Sequence, residues 1–253
     1  MIRHSPLSMP TAALTVSLCL VVSGSPGSAK AASCGQQTPI GQNCTCDLNT
    51  LHPLQGAIGM GEVRDKATKI AKKPDKERKD LEADPIKVVR GPNNQLFVTD
   101  HHHGASAWLM SGETTGTCRI ETGPASTDPN TFWIQLNALH KVRLADRDDK
   151  PITPDALPKT LAALPDDPYR TLAWMVRKKD GFCRALMNQK EFAEFIWADW
   201  LRKQPGLPAA TVASAPQTVL PDAMKLVEGP DAATLPGYRG NKPPGFTCPK
   251  END

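Results

Sequence analysis

The chain has 253 residues, 39% hydrophobic and 23% charged, with 24 prolines and a formal charge of +3. That apolar content supports a packed core and excludes a wholly disordered or collagen-like chain. No stretch reaches the ~20 apolar residues that a membrane-spanning helix needs.

Residues 1–31 read as a secretory signal. Arg3 supplies a short positive start, Thr11 to Val22 a mostly apolar stretch, and Ala29-Lys30-Ala31 an A-x-A cleavage site. Cys34 lies too far from the apolar core for a lipidation site. Cleavage would remove Arg3 and Lys30, lowering the formal charge from +3 to +1. A chain that close to neutral lacks the basic footprint of a general nucleic-acid binder. The expected location is secreted or periplasmic.

Six cysteines follow the signal: Cys34, Cys44, Cys46, Cys118, Cys183 and Cys248. An even count in an exported chain implies disulfides, with 15 connectivities open. Cys44 and Cys46 are too close in sequence to pair without strain. Cys34, Cys44, Cys46 and Cys248 flank the domain and are expected to staple its ends, leaving Cys118 and Cys183 as a third pair. Zinc is the rival reading, and the absence of any CxxC pair counts against it.

Residues 32–50 form a Cys-rich amino-terminal extension, expected to be irregular. Leu51 to Gln55 suits a short strand. Helical spacing runs from Gly61 to Lys73, with Val63, Ala67, Ile70 and Ala71 on one side, and the charges from Lys66 to Lys79 suit a solvated helical face. Asp84-Pro85 ends the helix before a strand at 86–89. The turn Gly91-Pro92-Asn93-Asn94 predicts a hairpin joining 86–90 to 95–99. Asp100 stands at the N-cap position of a helix over 102–111. A further strand covers 116–121.

Three of the six histidines, His101, His102 and His103, therefore sit at one strand-to-helix corner. The first N–H groups of a helix have no intrahelical partner and attract anions. Histidine adds a metal ligand or a group that titrates near neutrality. The bland alternative is a solvated polar corner that caps the helix. Since neighbouring side chains cannot all point one way, His102 and His103 are expected inward.

Residues 124–130 form a Pro-rich turn, followed by helices at 131–140, 169–178 and 190–203. These helices carry most of the tryptophans, at a spacing that favours core packing over an aromatic substrate platform. Residues 204–253 read as an extended Pro/Gly-rich tail with a short helix near 219–227.

Four segments in order carry a resemblance: Leu51-His52-Pro53-Leu54-Gln55-Gly56-Ala57-Ile58-Gly59-Met60-Gly61-Glu62-Val63, Asp84 to Asn94 leading into Asp100-His101-His102-His103, Asp166-Asp167-Pro168-Tyr169-Arg170-Thr171-Leu172-Ala173-Trp174, and Phe192-Ala193-Glu194-Phe195-Ile196-Trp197-Ala198. Over roughly residues 48–203 the chain resembles the ParB-like nuclease domain of the ParB/sulfiredoxin superfamily. The resemblance implies an α+β fold, a small mixed sheet with helices at 51–123, followed by a helical extension at 124–203 packed on it. It implies binding of a phosphate-containing ligand or nucleic acid. Relatives cradle phosphate at a helix start with His-Arg after the turn, whereas here Gly104 follows the histidines without an arginine.

On this basis the candidate catalytic residues are His102, His103 and Glu62. Asp100, His101 and Gly104 would bind phosphate, and His102 with Asp100 would hold a divalent metal (Mg, Mn or Zn). The function implied is a nuclease-like phosphodiester or phosphoryl hydrolase. The alternative is a non-catalytic exported binding protein that keeps the fold. No GxSxG, HExxH or Walker loop offers another chemistry.

Overall fold

A computed structural model describes residues 1, 32–124, 126, 128–184, 191–240 and 246–249. The expected signal segment, apart from Met1, lies outside the described residues. Residues 31–253 form one compact unit, and among the described residues no helix is long and apolar enough to cross a membrane.

The predicted hairpin is present. Strand β3 (Ile86–Arg90) and strand β4 (Leu96–Asp100) pair antiparallel, with Val88 opposite Val98 and Val89 opposite Phe97. β5 (Thr115–Ile120) runs parallel to β3 on its other side. Two further strands complete a mixed sheet in the order β1-β5-β3-β4-β2. β2 (His52–Pro53) pairs parallel with β4, and β1 (Asn43–Asp47) pairs antiparallel with β5. β1 arises from the extension expected to be irregular. Its alternation puts Cys44 and Cys46 on one buried face and Asn43, Thr45 and Asp47 on the other.

The central strands are apolar on both faces, so helices must cover both. One face packs Ile86, Val88, Val98 and Ile120 against Val63 and Ile70 of α1 (Met60–Lys72) and Ala105 and Trp108 of α3 (His102–Met110). α2 (Pro74–Ala83) follows α1 and buries no residue, which suits its run of charges. The opposite face packs Val89 and Phe97 under Phe132 and Leu136 of α4 (Pro129–Ala138).

The helical extension has its own core. α5 (Pro168–Lys178) buries Tyr169, Leu172, Ala173 and Val176, an i, i+3, i+4, i+7 stripe. α6 (Ala193–Arg202) packs Ala193, Trp197, Ala198 and Leu201 beside it. The segment expected to be an extended tail carries the expected helix near 219–227 within α8 (Pro216–Glu228), but it also forms α7 (Ala209–Ser214), and the two close this core with Val212, Val219, Ala223 and Val227. Backbone carbonyls hold it in place. Tyr169 Oη donates to Leu207 O at 2.7 Å and Trp197 Nε1 donates to Pro236 O at 2.8 Å. The sparse apolar residues of this segment suffice because nearly all of them face one preformed surface.

The disulfides are Cys34–Cys44, Cys46–Cys118 and Cys183–Cys248. The expected Cys118–Cys183 pair does not form, because Cys118 faces β1 across the ladder whereas Cys183 lies in the helical core beside the returning Cys248. Cys46–Cys118 joins residues 72 apart. In the chain-entropy view such a link contributes about 4 kcal/mol.

Glycines at 56, 59 and 61 explain how the sheet and the helical extension come together. A Cβ on Gly56 would stand 2.1 Å from the Ala145 carbonyl oxygen, and one on Gly61 would stand 2.3 Å from Thr171 Cγ2. Gly56→Ala is therefore expected to lower stability by roughly 1–3 kcal/mol, the usual cost of overpacking. Urea denaturation measures this, and an unchanged midpoint would mean that the approach is not tight.

Candidate functional site

The corner between β4 and α3 is built on a left-handed residue. His101 has φ 69° and stands at the N-cap of α3. Asp100, expected at the N-cap, sits one residue earlier and accepts the His101 N–H at 2.7 Å. Among the described residues no side chain caps the helix start, so the first N–H groups of α3 are left for another partner. His101 Nε2 lies 2.8 Å from Asp84 Oδ2, which ties the corner to the start of β3. The Asp100 carboxylate also takes Lys87 Nζ at 3.2 Å.

The other two histidines point inward and do different jobs. His102 is 5% exposed. Its Nε2 accepts the Leu54 N–H at 3.2 Å and its ring also hydrogen-bonds to the Val98 backbone, so both nitrogens serve the β2–β4 junction. Burial lowers its pKa to about 4. A ring used in this way has no lone pair for a metal, and Asp100 is held by Lys87 and His101. The expected His102–Asp100 metal pair is therefore not assembled. Among the described residues no set of three His, Asp or Glu donors converges at this corner. These residues do not fit a resident divalent ion.

His103 faces the cavity between the sheet domain and the helical extension. Its Nε2 accepts the Gly59 N–H at 3.3 Å and lies 3.7 Å from Glu62 Oε2. Burial, reinforced by the nearby Arg170 charge, pushes its pKa well below the ordinary value. It is neutral.

Glu62 comes from the first turn of α1, whose start is held by α5. Asp166 Oδ1 accepts the Met60 N–H at 2.9 Å, and Thr171 Oγ1 accepts the Gly61 N–H at 3.0 Å. Asp167, fully buried, caps α5 by accepting from Tyr169 and Arg170 N–H. The Asp-Asp-Pro sequence thus caps two helices, one with each carboxylate, and fixes Glu62 against Arg170.

Arg170 is the cation that the histidine corner lacks. It is 5% exposed, and its Nη2 lies 3.3 Å from Glu62 Oε2 and 3.8 Å from Glu194 Oε2. Its guanidinium also sits 5.5 Å from the centre of the Phe195 ring. Its Nε and Nη1 are buried without a hydrogen-bond partner among the described residues. Arg177 Nε lies 3.0 Å from Glu194 Oε1, and Arg184 Nε lies 4.0 Å from the same oxygen. Burial alone would raise the Glu194 pKa, but these three guanidiniums hold it below the usual carboxylate range.

These groups line one cavity of ≈ 950 Å³, along with Asp100, His101, His102, His103 and Gly104. A Cβ on Gly104 would meet nothing within 4 Å, so the floor over the helix start is open. Glu62, His103 and Gly104 lie where the sequence led one to expect them, whereas no motif in it singled out Arg170, Arg177 and Glu194. The spacing of Arg170 and Arg177, i and i+7 on one helix, could have marked a single basic face.

A family model described as "Putative ParB-like nuclease" matches residues 44–203. Among solved structures, the chain is similar to protein Atu1540 from Agrobacterium tumefaciens, with TM-score 0.66 and 25% identity over 79% of this chain and 99% of that one. It also aligns with the C-terminally truncated chromosome-partitioning protein ParB from Caulobacter crescentus, complexed with CTP-gamma-S. That match has TM-score 0.28 and 12% identity over 76% of this chain and 94% of that one, which is too distant in backbone to carry an argument. No curated protein matches.

The buried histidines make stability depend on pH. His102 has a folded pKa of about 4 against an ordinary value of 6.5, so the unfolded chain binds the proton first as pH falls. Its contribution is complete above about pH 6.5 and declines down to about pH 4, by about 3 kcal/mol. His103 acts with the same sign. Urea midpoints between pH 7 and 4 should fall, and should fall less steeply in His102→Gln. An equal slope in both would remove His102 as the cause.

Proposed function

Because this chain belongs to the family of ParB-like nucleases, we propose that its 950 Å³ cavity binds a phosphate-containing ligand and hydrolyses a phosphodiester or phosphoryl bond there. The observation that carries this reading is the Arg170 guanidinium, buried in the cavity wall with two nitrogens that have no partner among the described residues. A buried donor without an acceptor is costly, and a phosphate oxygen is a fitting acceptor for an arginine fork.

The ligand phosphate would sit over Gly104, receiving the first N–H groups of α3 on one side and Arg170 on the other. Arg177 would add charge. Glu62, 3.3 Å from Arg170 and 3.7 Å from His103, would take the proton of the attacking water. His103 would orient that water, and His102 would position the corner. Seven lysines and arginines and six acidic side chains line the cavity. That near balance, in a concave pocket, favours one phosphorylated small molecule or strand end over the face of a duplex. We place the protein outside the cytoplasm, and its three disulfides support an oxidising compartment.

Thermal melts with inorganic phosphate, pyrophosphate and a short single-stranded oligonucleotide test binding, since a ligand of the folded state raises the melting point. At least one should raise it. Gly104→Ala fits the free protein and gains roughly 1 kcal/mol of helix propensity, so its melting point should rise without ligand while the ligand-induced shift is lost. A shift that survives Gly104→Ala would move the ligand elsewhere. With bis(p-nitrophenyl) phosphate or a labelled oligonucleotide, Glu62→Gln should lower turnover on the order of 10²–10⁴-fold and keep the ligand-induced shift. Binding without any turnover would favour the non-catalytic binding protein.

A further inference from the structure

Two of the three disulfides lie against each other, far along the sheet from the histidine corner. Cys34–Cys44 fastens the segment before β1 to that edge strand, where Cys34 N–H donates to Thr45 O at 2.8 Å. Cys46–Cys118 fastens β1 to β5. The sulfurs of Cys34, Cys46 and Cys118 all lie within 4.8 Å of one another. Cys44, Cys46 and Cys118 are buried, and Cys34 is half-buried. Cys34 and Cys46, one from each bond, stand in the wall of a second cavity of ≈ 650 Å³ that Lys159 also lines.

The ladder makes a second pairing available. Cys44 and Cys118 are directly opposite in the β1–β5 register, although neither bonds the other. Residues so placed have Cα atoms ~4.5–5.5 Å apart, within the span of a disulfide. The register places Cys44 beside Cys118 and the sulfur of Cys34 lies within 4.8 Å of that of Cys46, so Cys34–Cys46 with Cys44–Cys118 is the alternative pairing of the same four residues. Cys183 and Cys248 belong to the helical core and take no part.

We propose that this cluster is a thiol-exchange site whose ligand class is a small dithiol entering the 650 Å³ cavity. One thiolate of the dithiol attacks Cys34 Sγ, forms a mixed disulfide and releases the Cys44 thiolate. The second thiol of the ligand then closes on the first, leaving as an oxidised cyclic disulfide and releasing Cys34 as a thiolate. Two electrons have passed to the protein. The Cys34 thiolate attacks Cys46 Sγ, so the Cys46–Cys118 bond breaks, Cys34–Cys46 forms, and Cys118 leaves as a thiolate opposite Cys44. This last step is an exchange without net oxidation or reduction. Lys159 in the cavity wall favours the incoming thiolate. Through Cys34, a reductant at the surface reaches a buried bond that holds the edge strand.

The test uses the oxidised chain and sub-stoichiometric dithiothreitol, quenched by alkylation at intervals, with linked peptides identified by mass spectrometry. Peptides joining Cys34 to Cys46 should appear, and Cys46–Cys118 should open at least tenfold faster than in Cys34→Ser/Cys44→Ser. The Cys183–Cys248 rate, equal in both proteins, serves as the internal reference. Equal Cys46–Cys118 rates with no crossed peptides would overturn the proposal. If the double variant fails to fold, the natural chain decides: crossed peptides support the exchange, and their absence overturns it.

Discussion

A guanidinium with almost no exposed surface must be compensated, and the way Arg170 is compensated organises this molecule. One carboxylate comes from α1 of the sheet domain and the other from α6 of the helical extension, with the arginine itself on α5 between them. Removing either acid would leave part of that charge buried and unpaired, at a cost of several kcal/mol. The arrangement holds only because α1 and α5 meet at glycines, and because Asp166 and Asp167 cap the two helices from adjacent positions. The cavity is where these two halves meet, and its charge pattern comes from the contact that joins them.

That arrangement also accounts for the missing arginine beside the histidines. The corner sequence Asp100-His101-His102-His103-Gly104 has no cation of its own. The helical extension brings Arg170 and Arg177 to the same cavity from roughly seventy residues downstream. Arg170 and Arg177 add positive charge to the cavity beside Lys66 and Lys87.

Local structure was legible in the sequence and long-range partnership was not. The hairpin from Ile86 to Asp100 and the helices carrying Val63, Leu172 and Trp197 follow from periodicity and turn chemistry. The capture of His102 by the Leu54 N–H does not, because it depends on a parallel two-residue strand 48 residues upstream. The disulfide connectivity was hidden for the same reason. Cys46 meets Cys118 only once β1 lies beside β5, and β1 looked irregular among its polar neighbours. The tail misled through its prolines. Pro216 stands at a helix start, where it is tolerated; only the stretch near 219–227 inside α8 was legible as a helix, and the few apolar residues of α7 needed the α5–α6 surface before they could be recognised as a face.

If an oxyanion completes the unpaired side of Arg170 over the start of α3, a crystal soaked in tungstate, a heavy phosphate mimic, should show anomalous density in the cavity, within hydrogen-bond distance of the Arg170 guanidinium and of the N–H groups of His103 or Gly104. Density confined to exposed lysines, with the Arg170 nitrogens still unpartnered, would contradict it.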